Sequence, residues 1–149
     1  MPTGAVSALA CDNPIPLTGD PLPVLAMTGT LPVPKGGTLT PGTYVLSASN
    51  QYKGMPGNYG IRAAFSFDEQ NRFKSTVELT GAVSGTVTRA GTYEVAGSAV
   101  LLTITCETTN HPASDSNLIA AFTATDDLLS LSGIATRGSD YVLNTFIRQ

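Results

Sequence analysis

The chain has 149 residues, 42 % of them hydrophobic, which suits one domain with a true core and excludes a disordered chain by composition. Charged residues supply only 13 %, against roughly a quarter in an ordinary soluble domain. The formal net charge is −3 and the eight basic residues are scattered from Lys35 to Arg148, so no basic stripe marks a nucleic-acid or anionic-membrane partner.

In chain order, residues 1–37 form a proline-rich lead. Eight of the ten prolines fall at or before Pro41. Each proline lacks the N–H that a helix or a sheet ladder needs, so the lead is expected to be extended. It is not a purely polar linker. Leu22, Val24, Leu25, Met27, Leu31 and Val33 suit an edge segment or a lid packed over the rest. Gly36-Gly37 marks the joint to a β-domain spanning 38–149.

From Thr38 apolar and polar residues alternate with the period of a half-buried strand. Tyr44, Leu46 and Ala48 share one face of the first strong strand, with Val45, Ser47 and Ser49 opposite. Ile61, Ala63, Phe65 and Phe67 follow, and the turn Asp68-Glu69-Gln70-Asn71 leads into Phe73, Ser75, Val77 and Leu79. A weak strand at 83–87 precedes another at 89–96 carrying Tyr93 and Val95. Gly97-Ser98 turns the chain into Val100, Leu102, Ile104 and Cys106. Leu118, Ala120, Phe122 and Ala124 come next, then Asp126-Asp127, then Leu129 and Leu131. Tyr141, Leu143, Thr145 and Ile147 close the series on one face.

About eight strands joined mostly by short loops imply antiparallel sequential neighbours. A meander of that length hides its edges best by closing, so the expected fold is an all-β, antiparallel up-and-down barrel. No apolar run reaches the roughly 18 residues of a membrane-spanning helix.

The two cysteines bear on compartment. A Cys11–Cys106 disulfide would staple the lead to the domain and point to an oxidising space, secreted or in the cell envelope. The alternative is one buried free thiol and one in the lead. Residues 1–10 lack the basic and apolar regions of a full signal peptide, although Ala8-Leu9-Ala10-Cys11 resembles the end of a lipoprotein signal.

The stretches GTYVLSAS (42–49), GTYEVAGSAVLLTITCE (91–107), FTATDDLLSLSG (122–133) and YVLNTFIRQ (141–149) resemble bacterial lipocalin-like proteins of the broader calycin group. The resemblance covers 38–149 and leaves the lead outside. It implies a small eight-stranded barrel, exported or lipid-anchored. Lipocalins proper carry Trp after Gly in their first strand, whereas this chain has Tyr44 after Gly42-Thr43 and no Trp at all.

An eight-stranded barrel either fills its interior with side chains or admits one small molecule. The inward faces nominate Tyr44, Phe65, Tyr93 and Tyr141 as ligand-contacting residues, with the tyrosine hydroxyls as the polar handles. The leading function is therefore an exported protein that binds a small apolar ligand. The alternative is a solid-core structural or protein-binding module of the cell envelope, and a barrel-type cyclase ranks third. Loop 50–59, with Tyr52, Met55 and Tyr59, is a candidate contact for a protein partner. Catalytic groups are not evident. His111 is the single histidine, in a polar loop, and no Gly-x-Ser-x-Gly elbow is present. Glu78, Glu94, Arg62 and Arg89 alternate to the outer face. Neither a metal-ligand cluster nor a cofactor motif is recognisable.

Overall fold

The computed structural model describes residues 11, 14–82, 84–108, 117–132 and 141–149. Among these the regular secondary structure is entirely β. The nine strands are β1 (Leu22–Ala26), β2 (Gly42–Gln51), β3 (Tyr59–Phe67), β4 (Arg72–Gly81), β5 (Gly85–Ala96), β6 (Ala99–Thr108), β7 (Asn117–Thr125), β8 (Leu128–Ser132) and β9 (Val142–Arg148). From β2 to β9 each strand pairs antiparallel with the next, and β9 returns to β2, closing a barrel. The ninth strand comes from the lead. β1 runs parallel to β2 and antiparallel to β3. The two expected strands around 83–96 are one long strand, β5, and Val83 lies outside the described residues.

Alternation fills the interior. Tyr44 sits opposite Phe65, Phe65 opposite Ser75, Leu102 opposite Tyr93, and Phe122 opposite Leu131. Tyr44, Ile61, Phe65, Leu102, Phe122 and Phe146 are all buried in one core. A fully buried side chain of this size contributes roughly 1.5–3 kcal/mol by leaving water, so the set is the main stabilising term.

Two bulges shift which residues face inward. In β2, Leu46 pairs with Phe146 and Ala48 with Thr145, leaving Ser47 as the extra residue. The alternation flips there, so Ser49 points inward and is buried while Ala48 does not share the face of Tyr44. In β6, Ala90 pairs with Cys106 and Gly91 with Ile104, leaving Thr105 extra. That bulge turns Cys106 to the outer face, although it continues the inward series Val100, Leu102, Ile104 in sequence.

The last strand is also reversed from expectation. Val142, Asn144 and Phe146 are buried, whereas Tyr141 and Ile147 are 44 % and 43 % exposed. Both faces of β9 carry large apolar side chains, so periodicity alone gave no direction. The register with β8 sets it, placing Phe146 opposite Leu129 and Asn144 opposite Leu131. Val95 is 41 % exposed because the β5–β6 hairpin extends beyond the last β4 partner, Arg72 opposite Thr92.

The lead packs outside and then over one end. Cys11 is bonded to Cys106, with Cα atoms 5.6 Å apart. Further on, Gly36 N–H donates to Phe122 O and Ala124 N–H donates to Gly36 O, both at 2.8 Å. A Cβ on Gly37, whose φ is +118°, would lie 2.3 Å from Ala124 O, so only glycine permits this approach. Leu39 then enters the core. The same end carries the tight turns 68–71, 97–98 and 126–127, while the opposite end carries the longer connection 52–58.

Candidate functional site

Three of the four nominated residues meet inside the barrel. Phe65 packs edge-on against Phe146 with centroids 5.3 Å apart and stacks on Phe67 at 6.0 Å. Phe67 in turn receives Tyr93 at 5.0 Å and Tyr44 at 6.0 Å, both edge-to-face. These are the offset and T-shaped arrangements that aromatic quadrupoles favour. Tyr44, Phe65 and Tyr93 are thus joined through Phe67 into one interlocked cluster. Sequence reading missed Phe146, the far member, because it lay on the face of β9 assigned to solvent.

The tyrosine hydroxyls are already committed to backbone. Tyr44 Oη donates to Thr40 O, and Tyr93 Oη donates to Asp68 O at 3.2 Å. Both bonds tie the interior to segments that cap the tight-turn end. Burial pushes the pKa of each phenol upward, so both stay protonated donors. Tyr141 stands apart. It lies at the opposite end, half-exposed, with Lys53 Nζ 4.7 Å from its ring centroid. Lys53 belongs to the candidate partner loop, where Met55 is 88 % exposed.

The interior also holds a polar pair that alternation along β2 and β9 does not announce. Ser49 and Asn144 are directly opposed across β2 and β9 and are buried to 2 % and 1 % exposure. Ser49 Oγ and Asn144 Oδ1 have no hydrogen-bond partner among the described residues. A buried polar atom left unpaired costs about 1–3 kcal/mol, so the pair is a feature that needs a partner or a reason.

Arg62 Nη2 meets Glu78 Oε1 at 2.7 Å on the outer face, as expected. Arg89 is reversed from expectation: it sits opposite Ser75, itself opposite Phe65, so its ion pair with Glu107 lies on the inner face, with side chains 25 % and 8 % exposed. Arg62 Nη1 also donates to Gly19 O at 3.3 Å and Leu17 O at 3.5 Å, which holds the lead against the barrel. Two open surface grooves of about 470 and 480 Å³ flank β5, the first by Asp68, Arg72 and Thr105, the second by Tyr93, Glu94 and Ile119. No group of three or more His, Cys, Asp or Glu side chains suited to a metal occurs among the described residues, and His111 lies outside them.

The β3–β4 turn carries one clear electrostatic signature. The Asp68 carboxylate accepts the backbone N–H groups of Arg72 and Gln70 at 2.9 Å each, and Arg72 Nε at 2.9 Å. The Arg72 backbone bond is the largest cause holding its pKa below the usual carboxylate value. The unfolded chain binds this proton more readily, so the contribution is present above the ordinary carboxylate pKa. It fades as pH falls through the lowered folded value. In an NMR pH titration the Asp68 carboxyl should turn over below the ordinary carboxylate range, and Asp68→Asn should flatten that part of the acid-unfolding curve. A midpoint at the ordinary carboxylate value would remove the turn-capping role.

The architecture defines a closed β-barrel with an aromatic interior and an externally stapled lead. Neither family models nor curated proteins yield a match to this chain.

Proposed function

We propose that this is an exported, lipocalin-like barrel with a solid core that acts through its surface, as a structural or protein-binding module of the cell envelope. The observation that carries this is the interlocked set Tyr44, Phe65, Phe67, Tyr93 and Phe146, which occupies the space an apolar guest would need. The hydroxyls of Tyr44 and Tyr93 are spent on Thr40 and Asp68 rather than left for a ligand. The Cys11–Cys106 bond supports an oxidising compartment. Surface contact falls to loop 50–59, where Met55 projects and Lys53 rests on Tyr141.

One observation favours the second reading, a small, mostly apolar ligand inside the barrel. The unpartnered Ser49 Oγ and Asn144 Oδ1 face inward together, as the polar contacts of an otherwise apolar pocket do.

Native mass spectrometry of protein purified from its own host, with a titration of an apolar fluorescent probe, tests the proposal. Empty protein and no saturable probe signal are expected. A bound molecule or saturable uptake would transfer the function to the barrel interior. Asn144→Leu then separates the readings independently. In an empty barrel the substitution is neutral or stabilising, because it removes an unsatisfied group. In a ligand-binding barrel it lowers the affinity of a mostly apolar probe bearing one hydroxyl at least about tenfold, the loss of roughly one hydrogen bond to Asn144.

A further inference from the structure

β2 and β3 share a ladder only from Gly42–Val45 to Ala64–Phe67. Beyond Val45 the two strands part, leaving a gap in the barrel wall. β1 fills it. Val24, Leu25 and Ala26 pair with Ser49, Asn50 and Gln51, while Leu22 and Pro23 pair with Ile61 and Gly60. Val24 enters the core at 8 % exposure and Leu22 packs against it, whereas Leu25 is 54 % exposed. The gap therefore reads an extended segment in a fixed register, with two inward apolar side chains.

We propose that this gap is a strand-acceptor site, and that it takes residues 22–26 either from its own chain or from a second copy, giving a strand-exchanged dimer. The occupant is argued from the site itself. The segment that fits is already seen in it, and a second copy carries the identical Leu-Pro-Val-Leu-Ala with the same register, core contact and Arg62 clamp on Leu17 and Gly19. Exchange replaces each contact by the same contact, so its balance is set by chain concentration and by the connection between β1 and β2.

That connection suits the role. Residues 28–33 are exposed apart from half-buried Leu31, and Pro32 and Pro34 bias them toward extended backbone. β1 is also lightly held by its ladders, since Pro23 has no N–H and the β1–β2 pairing is parallel, the weaker arrangement per residue. Exchange carries Cys11 along with the strand. In the dimer the Cys11 of each copy meets the Cys106 of the other, a bond between chains where the monomer has one within a chain.

An equal mixture of unlabelled and ¹⁵N-labelled full-length protein, reduced and unfolded, is refolded with glutathione and its disulfide at low and high protein concentration. Each protein bond then forms as two cysteine thiols reduce one glutathione disulfide to two glutathiones. Monomer and dimer are separated by size and their Cys11–Cys106 peptides weighed. Single-isotope peptides are expected from the monomer and mixed-isotope peptides from the dimer. The same mixing with Leu25→Cys and Asn50→Cys, opposed across β1 and β2, reports the strand itself and should also give mixed peptides in the dimer. Single-isotope linkages throughout, a mixed Cys11–Cys106 bond without a mixed Leu25→Cys–Asn50→Cys bond, or monomer alone at every concentration would overturn strand exchange.

Discussion

Gly91→Ala is expected to unfold the barrel or to lower its Tm by on the order of 10 °C, the loss of about 4 kcal/mol or more. Gly91 lies at the β5–β6 register shift, where Thr105 is the extra residue, and sits opposite the buried Phe73 on β4. A Cβ there would lie 1.8 Å from Thr103 O, 2.9 Å from Thr103 C and 3.1 Å from Ile104 Cα. All three are backbone atoms, so no rotamer relieves the overlap. Either the hairpin separates, costing ladder bonds, or the bulge slides and Cys106 turns away from Cys11. Gly97→Ala is the matched control. Gly97 has φ +61° with no atom within 4 Å of an added Cβ, so only the left-handed backbone penalty of about 1–2 kcal/mol applies. Thermal unfolding followed by circular dichroism compares the two. Should they prove equally mild, the tight bulge is not what fixes this hairpin.

Removing the disulfide should have the second large effect. Cys11 and Cys106 are separated by 95 positions. Freeing a loop of that length restores chain entropy to the unfolded state worth about 4 to 5 kcal/mol on the chain-entropy estimate. Cys11→Ser, Cys106→Ser and the double substitution should therefore shift the urea midpoint by the same amount, because each removes the same cross-link. The m-value should rise, since an unfolded chain without the tie exposes more surface. A double variant that loses the sum of the single effects would mean that the two side chains act separately through packing. Arg62 would still grip Leu17 O and Gly19 O, so the lead should loosen near Cys11 before it leaves Gly19.

The parts of the fold that could be read from residues alone are those where one face is apolar and the other is not. β3, β4, β7 and the first half of β6 obey this, and Phe65, Phe67, Phe73, Leu102 and Phe122 are buried as the alternation requires. Two bulges broke the rule. No residue type announces that Ser47 or Thr105 is supernumerary, so Ser49 and Cys106 were placed on the wrong faces. β9 failed for a different reason, since Val142, Leu143, Phe146 and Ile147 make both faces apolar and only the partner strands decide. The proline-rich composition hid β1, because a strand of three plus two registered residues tolerates Pro23 where a longer internal ladder would not. In the interior, sequence identified Tyr44, Phe65 and Tyr93 as inward. It could not reveal where the hydroxyls go, because Thr40 O and Asp68 O are brought near by turn geometry rather than by any side-chain signal.

The β2–β9 seam governs the order in which the molecule can be completed. Every other pairing along the meander joins strands adjacent in the chain, so it can form soon after its second member emerges. The seam joins Leu46 to Phe146 and Tyr44 to Arg148, and Gln149 N–H reaches back to Thr43 O. Its loop-closure entropy is the largest in the barrel, which makes it the natural last step. A chain delivered from its N-terminus therefore travels with one bare edge on β2 until β9 arrives. Throughout that interval the unzipped side of β2 is the surface most in need of shelter from neighbouring chains.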